Sequence, residues 1–279
     1  MAVFISLLTV FVLGLAAYLG VQNGLQIVFG QYIPYAAVVI FIVAFIVKVL
    51  DWARSPVPFS IPTTGGQQKS FDWIAHNPMD NPHNKGWTVV RMLLEVLTFR
   101  SLFRNTSVQL TGGADNPRVA YPSAKWLWLF ALLFHYAFLT IFIRHFRFFL
   151  EPVPLFISVL EFLDGIMQVG VPRLFQTDIV IIAALLFLLG RRLFDGKVRY
   201  ISLLSDYFPL FLILGICGTG IWMRYFTKTD IAGVKTVIMN LVSLSPMSGE
   251  ALAGVAPIFF IHLFLVCCLL IYFPFSKLM

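Results

Sequence analysis

The chain has 279 residues, of which 59% are hydrophobic and only 12% charged, and its mean hydropathy is +0.87. A soluble domain carries roughly twice that charged fraction, so a water-soluble enzyme is excluded and an integral membrane protein is expected. The formal net charge of +7 does not signal nucleic-acid binding, because the basic residues sit beside apolar runs, where the positive-inside bias places them.

Six apolar runs are long enough to cross a bilayer, which takes roughly 17–25 residues per helix. In chain order they cover about 3–21, 32–50, 126–149, 177–194, 203–226 and 256–275. The first lacks the basic leader and small-residue cleavage site of a signal peptide, so it is read as a retained helix. The two N-terminal spans occupy 1–50. A loop at 51–125 follows, and a four-helix membrane region fills 126–279.

The 51–125 loop is rich in turn formers (Pro56, Pro58, Pro62, Gly65-Gly66, Pro78, Pro82, Gly112-Gly113, Pro117), which predicts largely irregular backbone. Within it, apolar residues at 88–104 are interrupted by Arg91, Glu95, Arg100 and Arg104. That pattern predicts a basic amphipathic helix at the inner membrane surface. With Trp73 and Trp87 nearby, the same surface is also a candidate for docking a partner protein. After span three, the outer segment 150–176 is apolar but broken by Pro154, Gly165, Gly170 and Pro172, and it carries Glu161 and Asp164. A re-entrant or interfacial helix is expected there, not a seventh span.

Fourteen of the twenty Lys and Arg residues fall on one side of this topology. They lie in the connection from Lys48 to Lys125, in the Arg191–Arg199 connection and at Lys277, which puts both termini in the cytoplasm of a cell with the chain in its inner membrane. Cys217, Cys267 and Cys268 lie inside apolar runs without metal-ligand spacing and are read as small buried hydrophobes.

Of five histidines, His76 and His83 belong to the loop and are read as solvated or partner-facing. His135, His145 and His262 lie within spans, where an ionisable residue is costly and by default functional. Haem iron commonly takes axial imidazoles. His135 and His145 are ten residues apart on one helix, a rise of about 15 Å, which suits two haems stacked across the bilayer. Span three runs outward and span six inward, so His145 and His262 reach the same depth near the outer face, as a bis-histidine haem requires. Arg144 and Arg147 are placed to neutralise haem propionates at that face. Hydrogen bonding between helices, or a proton path, is the competing use of these histidines.

The stretch from His262 through Phe273-Pro274-Phe275-Ser276-Lys277, together with the His135 and His145 spacing, resembles the respiratory nitrate reductase gamma-subunit (NarI) family of dihaem cytochromes b. The fold this implies is all-α and integral to the membrane: six transmembrane helices, a bundle of five (spans two to six) plus one N-terminal helix. Within the family, the extra helix and long loop look most like the cytochromes b of DsrMKJOP-type complexes in sulfate reducers and sulfur oxidisers. The resemblance implies that His145 and His262 hold an outer haem b and that His135 is one ligand of an inner one. The fourth family histidine falls one or two residues past Met279, so the chain is expected to continue there, unless the inner haem is differently ligated or missing.

It further implies menaquinone as the substrate and a cytoplasmic iron–sulfur partner like heterodisulfide reductase (DsrK-like), with DsrJ-, DsrO- and DsrP-like subunits. Glu151, Glu161 and Asp164 are the outer carboxylates expected to accept quinol protons, interfacial solvated charges being the plainer alternative. A haem-free membrane anchor and a proton or anion transporter are the rival classes, but the broken mid-membrane helices and inverted repeats of a transporter are not evident.

Overall fold

The computed structural model describes residues 1–55, 73, 76–111, 117–165, 174–249, 252 and 254–279. It divides into two units, Arg54–Leu133 and the rest, Met1–Ala53 with Phe134–Met279. The irregular backbone expected at 56–72, the Gly112-Gly113 turn and the second half of the outer segment, 166–173, lie outside the described residues.

In chain order the elements are α1 (Ala2–Gln22), α2 (Ile33–Arg54), α3 (Lys85–Thr98), α4 (Arg100–Phe103), β1 (Gln109–Thr111), β2 (Arg118–Ala120) and α5 (Lys125–His145). They continue with α6 (Leu155–Asp164), α7 (Gln176–Phe194), α8 (Gly196–Ile201), α9 (Leu204–Trp222), α10 (Ile231–Val242) and α11 (Pro257–Tyr272). Among the described residues, five helical stretches are long and apolar enough to cross a membrane: Ala2–Gln22, Val28–Arg54, Lys125–Phe148, Leu204–Thr227 and Pro257–Phe275. They coincide with five of the six predicted spans. The remaining span is α7, whose 19 residues carry Asp178 in the first turn and Arg191 and Arg192 in the last. Those charges sit where the helix dipole favours their sign, and they leave an apolar middle.

In the larger unit, α1 packs against α9 and α11, and α7 packs on α9. Val10 of α1 meets Tyr207, Phe211 and Leu212 of α9 and Leu265 of α11 in one buried cluster. Close approach there depends on Gly215, where an added Cβ would stand 3.3 Å from Val10 Cγ1 and 3.5 Å from Leu265 Cδ1. Ser6 is fully buried on α1, and its hydroxyl donates to the Ala2 carbonyl one turn back (2.8 Å), so no polar group is stranded. The N-terminal helix, expected as an addition to the bundle, therefore sits against its central helices. Buried Gln31, in the π-helical turn Val28–Tyr32 before α2, ties this corner to the segment after α10. It donates to the Ser245 carbonyl (3.4 Å) and accepts from the Met247 amide (3.3 Å).

The smaller unit holds two helices where the sequence pattern predicted one at 88–104. Asn84 caps α3 by accepting from the Trp87 amide (2.8 Å). Phe99 then takes a left-handed conformation (φ 49°) and separates α3 from α4. The Glu95 carboxylate accepts from the Ser101 amide (2.9 Å) at the start of α4, which supplies the new helix with an acceptor for an orphan N–H. The antiparallel β1–β2 hairpin pairs Leu110 with Val119. The first turns of α5 close the unit: Trp128 Nε1 donates to the Thr98 carbonyl (2.6 Å), and its ring meets Phe103 edge-on at 4.8 Å.

Candidate haem-ligand pair and outer polar network

Two helices far apart in sequence bring His145 and His262 together. His145 closes α5, and its Nδ1 lies 2.7 Å from the Ile141 carbonyl one turn back. His262 sits in the second turn of α11, its Nδ1 3.1 Å from the Ile216 carbonyl and 2.9 Å from Thr219 Oγ1, both on α9. Carbonyl oxygens only accept, so Nδ1 carries the proton on both rings and Nε2 keeps its lone pair. That is the arrangement by which an outer hydrogen bond fixes the tautomer and orientation of a ligating imidazole.

The two rings are nearly parallel, at 9°, with centroids 6.3 Å apart. A metal–imidazole bond is about 2.0–2.1 Å, and a ring of bonds near 1.33 Å places its nitrogen about 1.1 Å from the centroid. Two imidazoles on opposite sides of one iron therefore have centroids about 6.3 Å apart. The donor set and its spacing fit a bis-histidine haem. Gly220 of α9 lies beside the pair, where an added Cβ would stand 3.4 Å from His262 Cε1, and the missing side chain keeps that edge of the imidazole clear.

His135 is not brought to this pair. It lies exposed on α5, with the Phe134 ring edge-on at 5.1 Å. Among the described residues, no group of three or more His, Cys, Asp or Glu side chains is placed to hold a metal ion. His76 and His83 meet in the smaller unit, ring centroids 4.6 Å apart, with His76 Nε2 3.2 Å from the Asn81 carbonyl.

Beside His145 lies a polar network that the sequence reading saw only in part. Arg144 and Asp164 form a buried ion pair, their side chains 6% and 3% exposed. Asp164 also accepts from the Thr177 amide (2.9 Å) and hydroxyl (2.7 Å). These bonds lock the end of α6 to the start of α7. The Arg144 guanidinium stacks 3.5 Å above the Phe175 ring, which Arg224 also covers at 4.2 Å. Tyr225 donates to Asp178 (2.7 Å) and accepts from the Phe175 amide (3.2 Å). Both Arg224 and Tyr225 come from a π-helical turn, Met223–Thr227, that extends α9, a distortion frequent at functional sites. Arg147 pairs with Glu161 at 2.5 Å, half-exposed, and Glu151 pairs with Lys235 of α10. The sequence reading singled out neither Asp178 nor Tyr225, its partner 47 positions on.

The family model described as nitrate reductase gamma subunit matches residues 92–279. Two proteins named "Hdr-like menaquinol oxidoreductase cytochrome b-like subunit" are similar to the chain. That of Archaeoglobus fulgidus is 44% identical over 91% of this chain and 76% of its own length. That of Archaeoglobus profundus is 44% identical over 88% of this chain and 73% of its own.

Proposed function

Because the chain belongs to the nitrate reductase gamma-subunit family, as a multi-pass membrane protein, we propose that it is a membrane cytochrome b subunit of the DsrM type. In this reading it exchanges electrons with the menaquinone pool and passes them to an iron–sulfur subunit on the cytoplasmic face, in dissimilatory sulfur metabolism. The observation that carries it is the His145–His262 pair, two parallel imidazoles at iron-bridging separation with both Nδ1 atoms committed to carbonyls. The family contributes the expectation of haem b, and the names of the Archaeoglobus relatives support menaquinol and a partner resembling heterodisulfide reductase.

Bound between these histidines, haem b supplies reversible one-electron chemistry inside a low-dielectric layer. The residues of the chain do the rest. Ile141 and Ile216 hold the two imidazoles in the ligating tautomer through their carbonyls, and Thr219 adds a second acceptor on His262. Arg147, half-exposed beside His145, and Arg144 supply positive charge for propionates. Glu151 and Glu161 are the outer carboxylates within reach of protons released by menaquinol. His135 is assigned to a second, inner haem. The same reading places both termini in the cytoplasm of the inner membrane and adds DsrK-, DsrJ-, DsrO- and DsrP-like subunits to the complex.

The reduced-minus-oxidised absorption spectrum of the purified protein tests the reading. A b-type alpha band is expected, diminished in His145→Ala and in His262→Ala and not by His76→Ala. A spectrum without that band in the unsubstituted protein sinks the proposal.

A further inference from the structure

Among the described residues of the smaller unit, one helix face is left exposed. On α3 no residue is buried, and Val89, Val90, Met92, Leu93, Val96 and Leu97 are all exposed, Met92 at 61% and Val96 at 67%. At helical spacing these six residues form a broad stripe, with Thr88, Arg91, Glu95 and Thr98 on the opposite side. Contiguous exposed apolar surface marks an interaction site.

Two observations name the occupant. The first is depth. The C-terminal end of α3 and all of α4 are fastened to the first turn of a membrane span. Trp128 donates to the Thr98 carbonyl (2.6 Å), Phe103 packs on Trp128 at 4.8 Å, and Lys125 Nζ stands 5.4 Å from the Phe103 ring centroid. Because the span runs from Lys125 to Phe148, its first turn lies where hydrocarbon meets headgroups, the level at which Trp and Lys anchor. The second is charge. Arg91 donates to the Asp80 carbonyl, and Arg100 (2.5 Å) and Arg104 donate to the Asp80 carboxylate. Three guanidiniums thus converge on Asp80, two of them on its carboxylate, so positive charge is left over, and the Arg104 side chain is 55% exposed.

We propose that α3 lies in the plane of the membrane surface, its apolar stripe in the acyl boundary and the Arg91–Arg100–Arg104 cluster against the phosphates of anionic lipids. An apolar face beside a surplus of arginine is the composition of an interfacial helix. Asp80 gathers the three arginines into one patch, and the Trp128 bond sets its height. The partner iron–sulfur subunit then docks elsewhere on the cytoplasmic face.

Hydrogen–deuterium exchange of the full chain in nanodiscs tests this, without any partner protein. Phosphatidylcholine alone is compared with phosphatidylcholine containing phosphatidylglycerol. Amides of 85–98 are expected to exchange about tenfold more slowly than in detergent. Phosphatidylglycerol is expected to add a further protection that falls roughly fivefold in Arg104→Gln, one surface charge being removed. A merely structural role for Arg104 changes protection equally in both bilayers and overturns the lipid assignment. Val96→Glu is expected to abolish the bilayer-dependent protection while leaving exchange in α9 and α11 unchanged. Protection of 85–98 that is the same in nanodiscs and detergent, arising only when an iron–sulfur partner is added, gives the surface to that protein and overturns the proposal.

Discussion

Among individual residues, the site rests on which hydrogen bonds leave which nitrogen available. Both histidines lose Nδ1 to a backbone carbonyl, and a carbonyl cannot be mutated away, so the ligating tautomer is built into the helices themselves. Arg144 and Asp164 show the opposite dependence, since each charge is tolerable only because the other is present. Removing one partner of a buried pair costs about 3–5 kcal/mol, because the remaining charge stays buried and uncompensated. Asp164→Asn is therefore expected to destabilise the protein by about that amount. Glu161→Gln, breaking the half-exposed pair with Arg147, should cost about 1 kcal/mol or less. Thermal unfolding of the two variants side by side checks the contrast, and equal losses would refute it. The sequence showed where the charges lie but not how they pair. His145 and His262 were legible because helix direction fixes depth. Thr219, Asp178 and Tyr225 were not, because their partners stand some fifty positions away in the chain.

For single elements, legibility followed the length of the apolar run. The spans were visible because a bilayer demands about 20 consecutive apolar residues, and observed ends differ from expected ones mainly where a π or 3-10 turn extends a helix. The break between α3 and α4 was invisible, since a Phe in the left-handed region carries no turn signature of the kind Gly or Asn gives. The short apolar helix α10, at 12 residues too short to be read as a span, is capped by Asp230, which accepts from the Ala232 and Gly233 amides (both 3.0 Å). One element has a pH signature of its own. Hydrogen bonds from Arg100 and then Arg104 hold the Asp80 carboxyl down at about 2, against 3.8 ordinarily. Its folded value is the lower one, so the unfolded chain takes up the proton first as pH falls. The tie between the 77–80 turn and the α3–α4 helices is thus fully present above about 3.8 and lost as pH falls toward about 2. Exchange protection of 85–104, corrected for intrinsic rate, is expected to be flat above that window and to drop within it. In Asp80→Asn it should be low and flat throughout.

Across the whole molecule, the histidine pair joins α5 to α11, which are separated by most of the C-terminal half of the chain. A ligand held between them binds only the folded bundle and stabilises it by mass action, about 4 kcal/mol at a thousandfold excess over its dissociation constant. For a chain of this size that is roughly a 10 °C rise in the unfolding midpoint. Haem-loaded protein is expected to melt higher than haem-depleted protein by about that margin. In His262→Ala the difference between the two midpoints should shrink, and an undiminished difference there would show that this pair holds no haem. The bundle itself was legible as six spans, but its inner arrangement was not, because hydropathy ranks segments by lipid affinity and says nothing about neighbours.

That arrangement bears on the order of synthesis. α1 is made well before α9 and α11, the helices against which it packs. At about 5–20 residues per second, the wait between the end of α1 and the start of α11 is roughly ten to fifty seconds. For that time the face carrying Ser6, Val10 and Ala17 meets lipid or an insertion factor instead of its final neighbours. The packing of α1 is complete only once α11 has been made, so the histidine pair comes together after the earlier helices have been inserted.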